Sequence, residues 1–303
     1  MTGVVTLSMS ILSMNEFAPR FDRCMCTDTR VGRVAFPVTD IYLYDALAEC
    51  GDYCLGEMRV YRNIVKPGMT VLDVGANIGL MSLHFSELVG SGGTVHAFEP
   101  SEFANGLLMH NCALNRRENI IVHRSAVSEA VGQTTFPSPN PEKIEKFNFG
   151  TLSLATHFIG SNGRDVPTEM ISIDSLKLDR CDFIKVDVEG FEAAVIRGGL
   201  ETIDRFQPHL SLEIGNPADD TSWVTALRTR GYRIFVFTAY IFAAPNFKKR
   251  SIEDMPAVVC ASAIAVPPGS DQMALFGATP RREIFTESHL ASINLSFSTD
   301  NRG

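Results

Sequence analysis

With 303 residues, 45% of them hydrophobic, the chain is long enough to bury a large core, and one α/β domain with appendages accounts for its length. A formal charge of −8, a sequence pI near 5.4 and no basic run beyond Lys248-Lys249-Arg250 leave no face for nucleic acid. Seven cysteines without a C-x-x-C pair argue against a disulfide framework or a zinc site, and a reducing cytoplasm is expected.

Met1 to Ser13 is mildly apolar but lacks a basic start and is dotted with Ser and Thr, unlike a signal peptide. Residues 1–35 show no sustained periodicity, so 1–50 is expected to form an N-terminal arm or partial lid. Within it, Ile41, Leu43, Tyr44 and Leu47 mark a strand or short helix. Met58, Val60, Tyr61 and Ile64 then space a helix that stops at Lys66-Pro67-Gly68.

The next stretch, Thr70 to Leu80, reads as strand, tight turn and helix. Val71, Leu72 and Val74 suit a parallel strand buried on both faces, with Asp73 near its carboxyl end. Gly75 and Gly79 permit a sharp turn around Ala76 and Asn77, and the helix periodicity runs from Ile78 to about Leu88. Its first turn offers unpaired N–H groups to an anion. A second strand, Thr94 to Phe98, ends in Glu99-Pro100-Ser101, where an acidic residue accepts from both ribose hydroxyls. A nicotinamide cofactor would call for G-x-G-x-x-G. The G-x-x-x-G turn, with Asp73 before it and Asn77 inside it, suits S-adenosylmethionine.

Ser101 caps a helix that runs to Asn115, and a third strand follows at Ile120 to His123. Gly132 to Pro167 is the least regular part, broken by Pro137, Pro139, Pro141 and Asn162-Gly163; His157 lies in it and reads as a surface residue. The fourth strand breaks the rule for a buried parallel strand. Lys185, Asp187 and Glu189 alternate with Ile184, Val186 and Val188, which puts three charges on one face. A structural Lys185–Asp187 pair is one account; a strand end open to a cleft is the other. Gly190 then turns the chain into a helix that ends at Gly198-Gly199. His209 to Ile214 is a fifth strand, Trp223 to Arg230 a helix, Tyr232 to Phe237 a sixth strand and Ala257 to Val266 a seventh. Glu213 ends the fifth strand and faces the cleft; His209 begins it, on the far side. No apolar run is long enough to span a bilayer, and residues 269–303 read as a polar tail.

Asp73-Val-Gly-Ala-Asn-Ile-Gly79, Ala97-Phe98-Glu99-Pro100 and Ile184-Lys-Val-Asp-Val-Glu-Gly190 together resemble the signatures of the FkbM-type methyltransferases, a class I S-adenosylmethionine-dependent family. The resemblance extends from about Gly51 to Val266 and implies a domain over 51–268. It implies a Rossmann-like, seven-stranded sheet, order 3-2-1-4-5-7-6 with strand 7 antiparallel and helices on both faces, and an insertion over the active site at 132–168. The cofactor set it implies is Glu57, Asp73, Gly75, Ala76, Asn77, Gly79, Glu99, Pro100, Ser101, Ser125, Ala126 and Asp187, with small residues beside the adenine. Asp187, Glu189 and Glu213 are the candidates for positioning the acceptor, acting as general base or holding a divalent cation, and metal-free transfer is the expectation. The implied reaction is O-methylation of a small-molecule hydroxyl on a sugar, polyketide or other natural product. A nicotinamide-dependent oxidoreductase and a non-catalytic cofactor-binding subunit remain as alternatives.

Overall fold

The computed structural model of the protein describes residues 23–140, 143, 145–154, 156, 163–216, 218–271, 273–276 and 281–290; His157 lies outside them. Strands β1 (Cys24–Thr29) and β2 (Gly32–Pro37) form an antiparallel hairpin, followed by α1 (Ile41–Leu43), a π-helical turn over Tyr44–Cys50 and α2 (Leu55–Ile64). Then come β3 (Thr70–Val74), α3 (Leu80–Val89), β4 (Thr94–Phe98), α4 (Glu102–Leu114) and β5 (Ile120–His123). A separate small sheet contains β6 (Ser125–Val127), β7 (Gly132–Pro139) and β8 (Gly163–Ile171), in the order β6-β8-β7. The chain continues through β9 (Phe183–Val186), α5 (Glu192–Arg197), α6 (Leu200–Phe206), β10 (His209–Glu213), α7 (Trp223–Arg228), β11 (Arg233–Tyr240) and β12 (Val259–Val266). The last elements are α8 (Met273–Phe276) and β13 (Arg282–Ile284).

The main sheet runs β13-β11-β12-β10-β9-β3-β4-β5, parallel from β10 to β5, with β12 antiparallel to both neighbours. Strand alternation divides its side chains between two cores. Val71, Val95, Phe183 and Ile264 pack under α2, α3 and α4, whereas Leu72, Ile184, Leu210 and Ala263 pack under α5, α6 and α7. Each fully enclosed large side chain here contributes about 1.5–3 kcal/mol of transfer free energy. The result is a Rossmann-like α/β fold with helices on both faces.

Several expectations change for identifiable reasons. Where a loosely packed arm is expected, residues 24–37 form the hairpin, because α4 supplies its edge with partners. Ala35 N donates to Asn111 Oδ1 (2.7 Å) and Arg33 N to Asn115 Oδ1 (2.8 Å), while each asparagine amide donates back to the carbonyl of the same residue. Helix positions i and i+4 lie about 6 Å apart along the axis, close to the roughly 6.6 Å between alternate strand residues, so two amides stand in for a neighbouring strand. The polar tail contributes β13, an eighth strand paired to Ile234–Val236 of β11. Beyond Gly199 the chain re-enters a helix, α6, whose first turn is capped from a distance: Asp174 Oδ1 accepts from Thr202 N (2.8 Å) and Thr202 Oγ1 (2.7 Å). Finally, β9 stops at Val186, and Glu189 (φ 54°) and Gly190 (φ 93°) take left-handed conformations, so the alternation does not carry through to Glu189.

Candidate functional site

The turn after β3 is drawn tightly against its neighbours. Gly75 N and Ala76 N both donate to Phe98 O, at 3.0 and 2.9 Å, and Gly75 holds φ 83°. A Cβ on Gly75 would lie 1.7 Å from the Asp187 carbonyl oxygen, so glycine lets the turn touch the exit of β9. Glu99, at the end of β4, is 7% exposed and is fixed from two sides: Asn77 N donates to Oε2 and Ser101 N to Oε1, each at 2.8 Å. Burial, opposed by these two N–H groups and supported by Asp73 and Asp187, pushes its pKa up to about 7.

Between the ends of β3, β9 and β10 lies a cavity of about 360 Å³. Asp187, Glu189 and Glu213 meet in its wall, with carboxylate oxygens within 4.8 Å of one another. Beneath them Lys185, 5% exposed, donates from Nζ to Asp187 Oδ2 at 2.7 Å and stands 3.8 Å from Asp73 Oδ1. Burial alone would raise the Asp187 carboxyl, but Lys185 and a hydrogen bond with Glu213 outweigh it and hold Asp187 below its ordinary value. Burial, and next the Asp187 charge, push Glu213 well above the carboxylate range. Glu189 is pushed up to about 8 by burial, then by Asp187, Glu192 and Asp219. Proton affinity is thus divided unevenly within the trio, lowered at Asp187 and raised at Glu189 and Glu213.

That arrangement has a measurable cost. The pKa of Glu189 is higher in the folded chain than in the unfolded one, so its stabilising contribution is complete below the unfolded value of 4.5 and is lost as pH rises toward about 8. Glu189→Gln, which cannot ionise, is expected to melt higher than the parent at pH 8, with the gap closing toward pH 4.5. Thermal melts across that range check it; a constant gap refutes the assignment.

Two segments remote in sequence roof the cavity. Asp40, 1% exposed, accepts from Tyr42 N and Leu43 N through Oδ1 and from Phe149 N through Oδ2, at 3.0, 2.8 and 2.9 Å. It thereby caps α1 and ties the N-terminal segment to the 149–152 turn, and Tyr42, Tyr53, Phe149 and Leu152 present an apolar rim. An Asp before Ile41 is a helix-start signal readable in sequence. Its second partner, 109 residues away, has no local signature.

Of the residues expected from sequence, Glu57, Gly75, Ala76, Asn77, Glu99 and Pro100 line the cavity. So do Ser125, Ala126, Asp187, Glu189 and Glu213. Asp73, Gly79 and Ser101 lie behind the wall. Asp73 is fully buried and accepts from Ser82 Oγ at 2.5 Å, and Ser101 Oγ caps α4 through Ala104 N. A Cβ on Gly79 would meet Leu108 Cδ1 at 2.5 Å, so this glycine serves the packing of α3 on α4. Glu57, 7% exposed, accepts from Ser262 Oγ. His209, at the opposite end of β10 from Glu213, does not line the cavity. Sequence reasoning missed Tyr42, Tyr53 and Asp40, and treated Lys185 as a partner only.

The residues present fit S-adenosylmethionine on two counts. Asn77 Oδ1 is a buried acceptor with no hydrogen-bond partner among the described residues, suited to an ammonium or amino donor, and Glu99 presents fixed acceptors to a ribose. A family profile described as the methyltransferase FkbM domain matches residues 73–234. Over 159 residues the chain is 30% identical to 31-O-demethyl-FK506 methyltransferase FkbM of Streptomyces tacrolimicus, covering 44% of this chain and 60% of that protein. The chain thus spans less than two thirds of this relative. Among solved structures, methyltransferase FkbM from Methylobacillus flagellatus aligns at 17% identity and TM-score 0.42, over 65% of this chain and 43% of that one. A SAM-dependent O-methyltransferase from Thermotoga maritima aligns at 14% identity and TM-score 0.44, over 82% and 79%.

Proposed function

The chain belongs to the FkbM methyltransferase domain family, and from that premise we propose that it transfers the methyl group of S-adenosylmethionine to a hydroxyl oxygen of a small molecule. The observation that carries this reading is the fixed Glu99 carboxylate beside Asn77 Oδ1, which has no partner among the described residues, one strand away from Asp187, whose pKa Lys185 holds down. When bound, S-adenosylmethionine supplies a methyl already activated by its sulfonium, so little covalent chemistry is left to the protein.

Glu99 would accept from the ribose hydroxyls and Asn77 Oδ1 from the amino-acid tail, and Ser125 and Ala126 would leave room for the base. Asp187 would accept the hydrogen bond of the acceptor hydroxyl and take its proton as the methyl–sulfur bond gives way to the C–O bond, with S-adenosylhomocysteine as the leaving group. A carboxylate held below its usual pKa suffices as base, because a methylated oxygen that still carries its proton is strongly acidic. Glu213 and Glu189, whose proton affinity is raised, stand beside Asp187, and the rim of Tyr42, Tyr53 and Phe149 excludes water. The Asp187 charge is already met by the Lys185 ammonium at 2.7 Å, which supports transfer without a divalent cation. Cationic side chains other than Lys185 are absent from the cavity lining, among the described residues, which supports an uncharged acceptor. Among the described residues, moreover, no helix is long and apolar enough to cross a membrane.

S-adenosylhomocysteine at a hundredfold excess over its dissociation constant is expected to add about 2.7 kcal/mol to apparent stability, and NAD nothing. Stabilisation by NAD alone would overturn the reading. In a labelled-methyl transfer assay, a chelator is expected to leave turnover unchanged; loss restored by Mg²⁺ would replace the metal-free account.

A further inference from the structure

Two sulfurs meet in the cavity wall. Cys54 Sγ and Cys260 Sγ lie 2.9 Å apart although 206 residues separate them. Cys54 occupies the cap position of α2 in a left-handed conformation, φ 46°, and its side chain makes no capping hydrogen bond. A β-carbon-bearing residue holds that conformation at a cost, and here the side chain meets the other thiol. The contact runs beside the Glu57–Ser262 hydrogen bond, three residues along α2 and two along β12, so both link the same pair of elements. Among the described residues no other two cysteine sulfurs are in contact.

We propose that Cys54 and Cys260 are an oxidisable pair that closes into a disulfide across the cavity wall when the protein meets hydrogen peroxide. A disulfide needs an S–S distance of about 2.05 Å, so the sulfurs must approach by somewhat less than 1 Å. Cys260, half-buried and lining the cavity, is the sulfur that a water-sized oxidant reaches. Its thiolate attacks one peroxide oxygen, giving a sulfenic acid and hydroxide. The Cys54 sulfur then displaces the second hydroxide from the Cys260 sulfur and gives up its proton. In sum, two thiols and one peroxide yield one disulfide and two waters. Cys54, whose thiol the Cys260 contact and burial hold well above the ordinary range, resolves rather than initiates. The proposal is independent of the methyl-transfer reading, since it uses only the two thiols and the wall they share.

The full chain is treated with hydrogen peroxide, unfolded, alkylated and digested, with a reduced sample in parallel. Two of the seven thiols are expected to disappear from the alkylated count. A peptide pair joined through Cys54 and Cys260, lighter by two hydrogens than its reduced parts, should appear and be reversed by dithiothreitol. The oxidised protein should melt higher than the reduced one, and Cys260→Ser should abolish both the cross-link and the shift. Cys26→Ser, at an exposed position, should keep both. Recovery of Cys54 and Cys260 both alkylated, a cross-link through other cysteines, or Cys260 found only as sulfinic acid would overturn the proposal.

Discussion

Replacing Gly75 with alanine is expected to cost more than about 4 kcal/mol of stability and to abolish stabilisation by S-adenosylhomocysteine. The added Cβ would sit 1.7 Å from the Asp187 carbonyl oxygen and 2.8 Å from its carbon, both backbone atoms. No rotamer change relieves such a clash. The strand end cannot retreat either, because Asp187 N donates to Val74 O at 3.0 Å and ties it to the same turn. Gly68 provides the control: its φ of 81° nearly equals the 83° of Gly75, yet a Cβ there meets nothing within 4 Å. Gly68→Ala should therefore pay only for its conformation, about 1–2 kcal/mol. Denaturant titration of both variants separates strain from clash, and equal losses at the two sites would remove the close-approach argument.

Asp187→Asn is expected to lower turnover by about 10²–10⁴-fold, the range associated with a positioned general base, while changing S-adenosylhomocysteine affinity far less. Asparagine keeps the shape and removes the charge that the site is built to hold. Lys185→Met tests the same charge from below. Without its ammonium, burial would raise Asp187, so the acid limb of the rate profile should move to higher pH. An unchanged rate in Asp187→Asn would transfer the proton-accepting role to Glu189 or Glu213.

What could be read from the residues follows the range of the interactions concerned. The β-branched run before Gly75, the acid after Phe98 and the charges after Ile184 announce themselves because strand alternation and turn chemistry act over a few residues. Asp73 shows the limit. Its place in the motif points to the ligand, but its side chain turns under the sheet to Ser82 and Lys185, a choice made by two other elements. Glu189 shows another, since a period-two pattern assumes a strand that in fact ends at Val186. The rim, the Asn111–Asn115 ladder and the Asp174 cap are contacts between distant segments, and local periodicity carries no trace of them.

The short strand β13 also bears on how the molecule behaves in a crowd. Without it, Ile234 to Val236 would leave a row of backbone groups unpaired at the margin of a seven-strand array, a template for a neighbouring molecule's strand. Arg233 fastens it there, its Nε and Nη2 donating to the two Glu283 carboxylate oxygens at 2.9 and 2.6 Å. At the opposite margin β5 is only four residues long, too short to recruit much. The late segment thus covers this stretch of the sheet margin, and a form shortened before Arg282 is expected to exchange an internal pairing for the hazard of an intermolecular one.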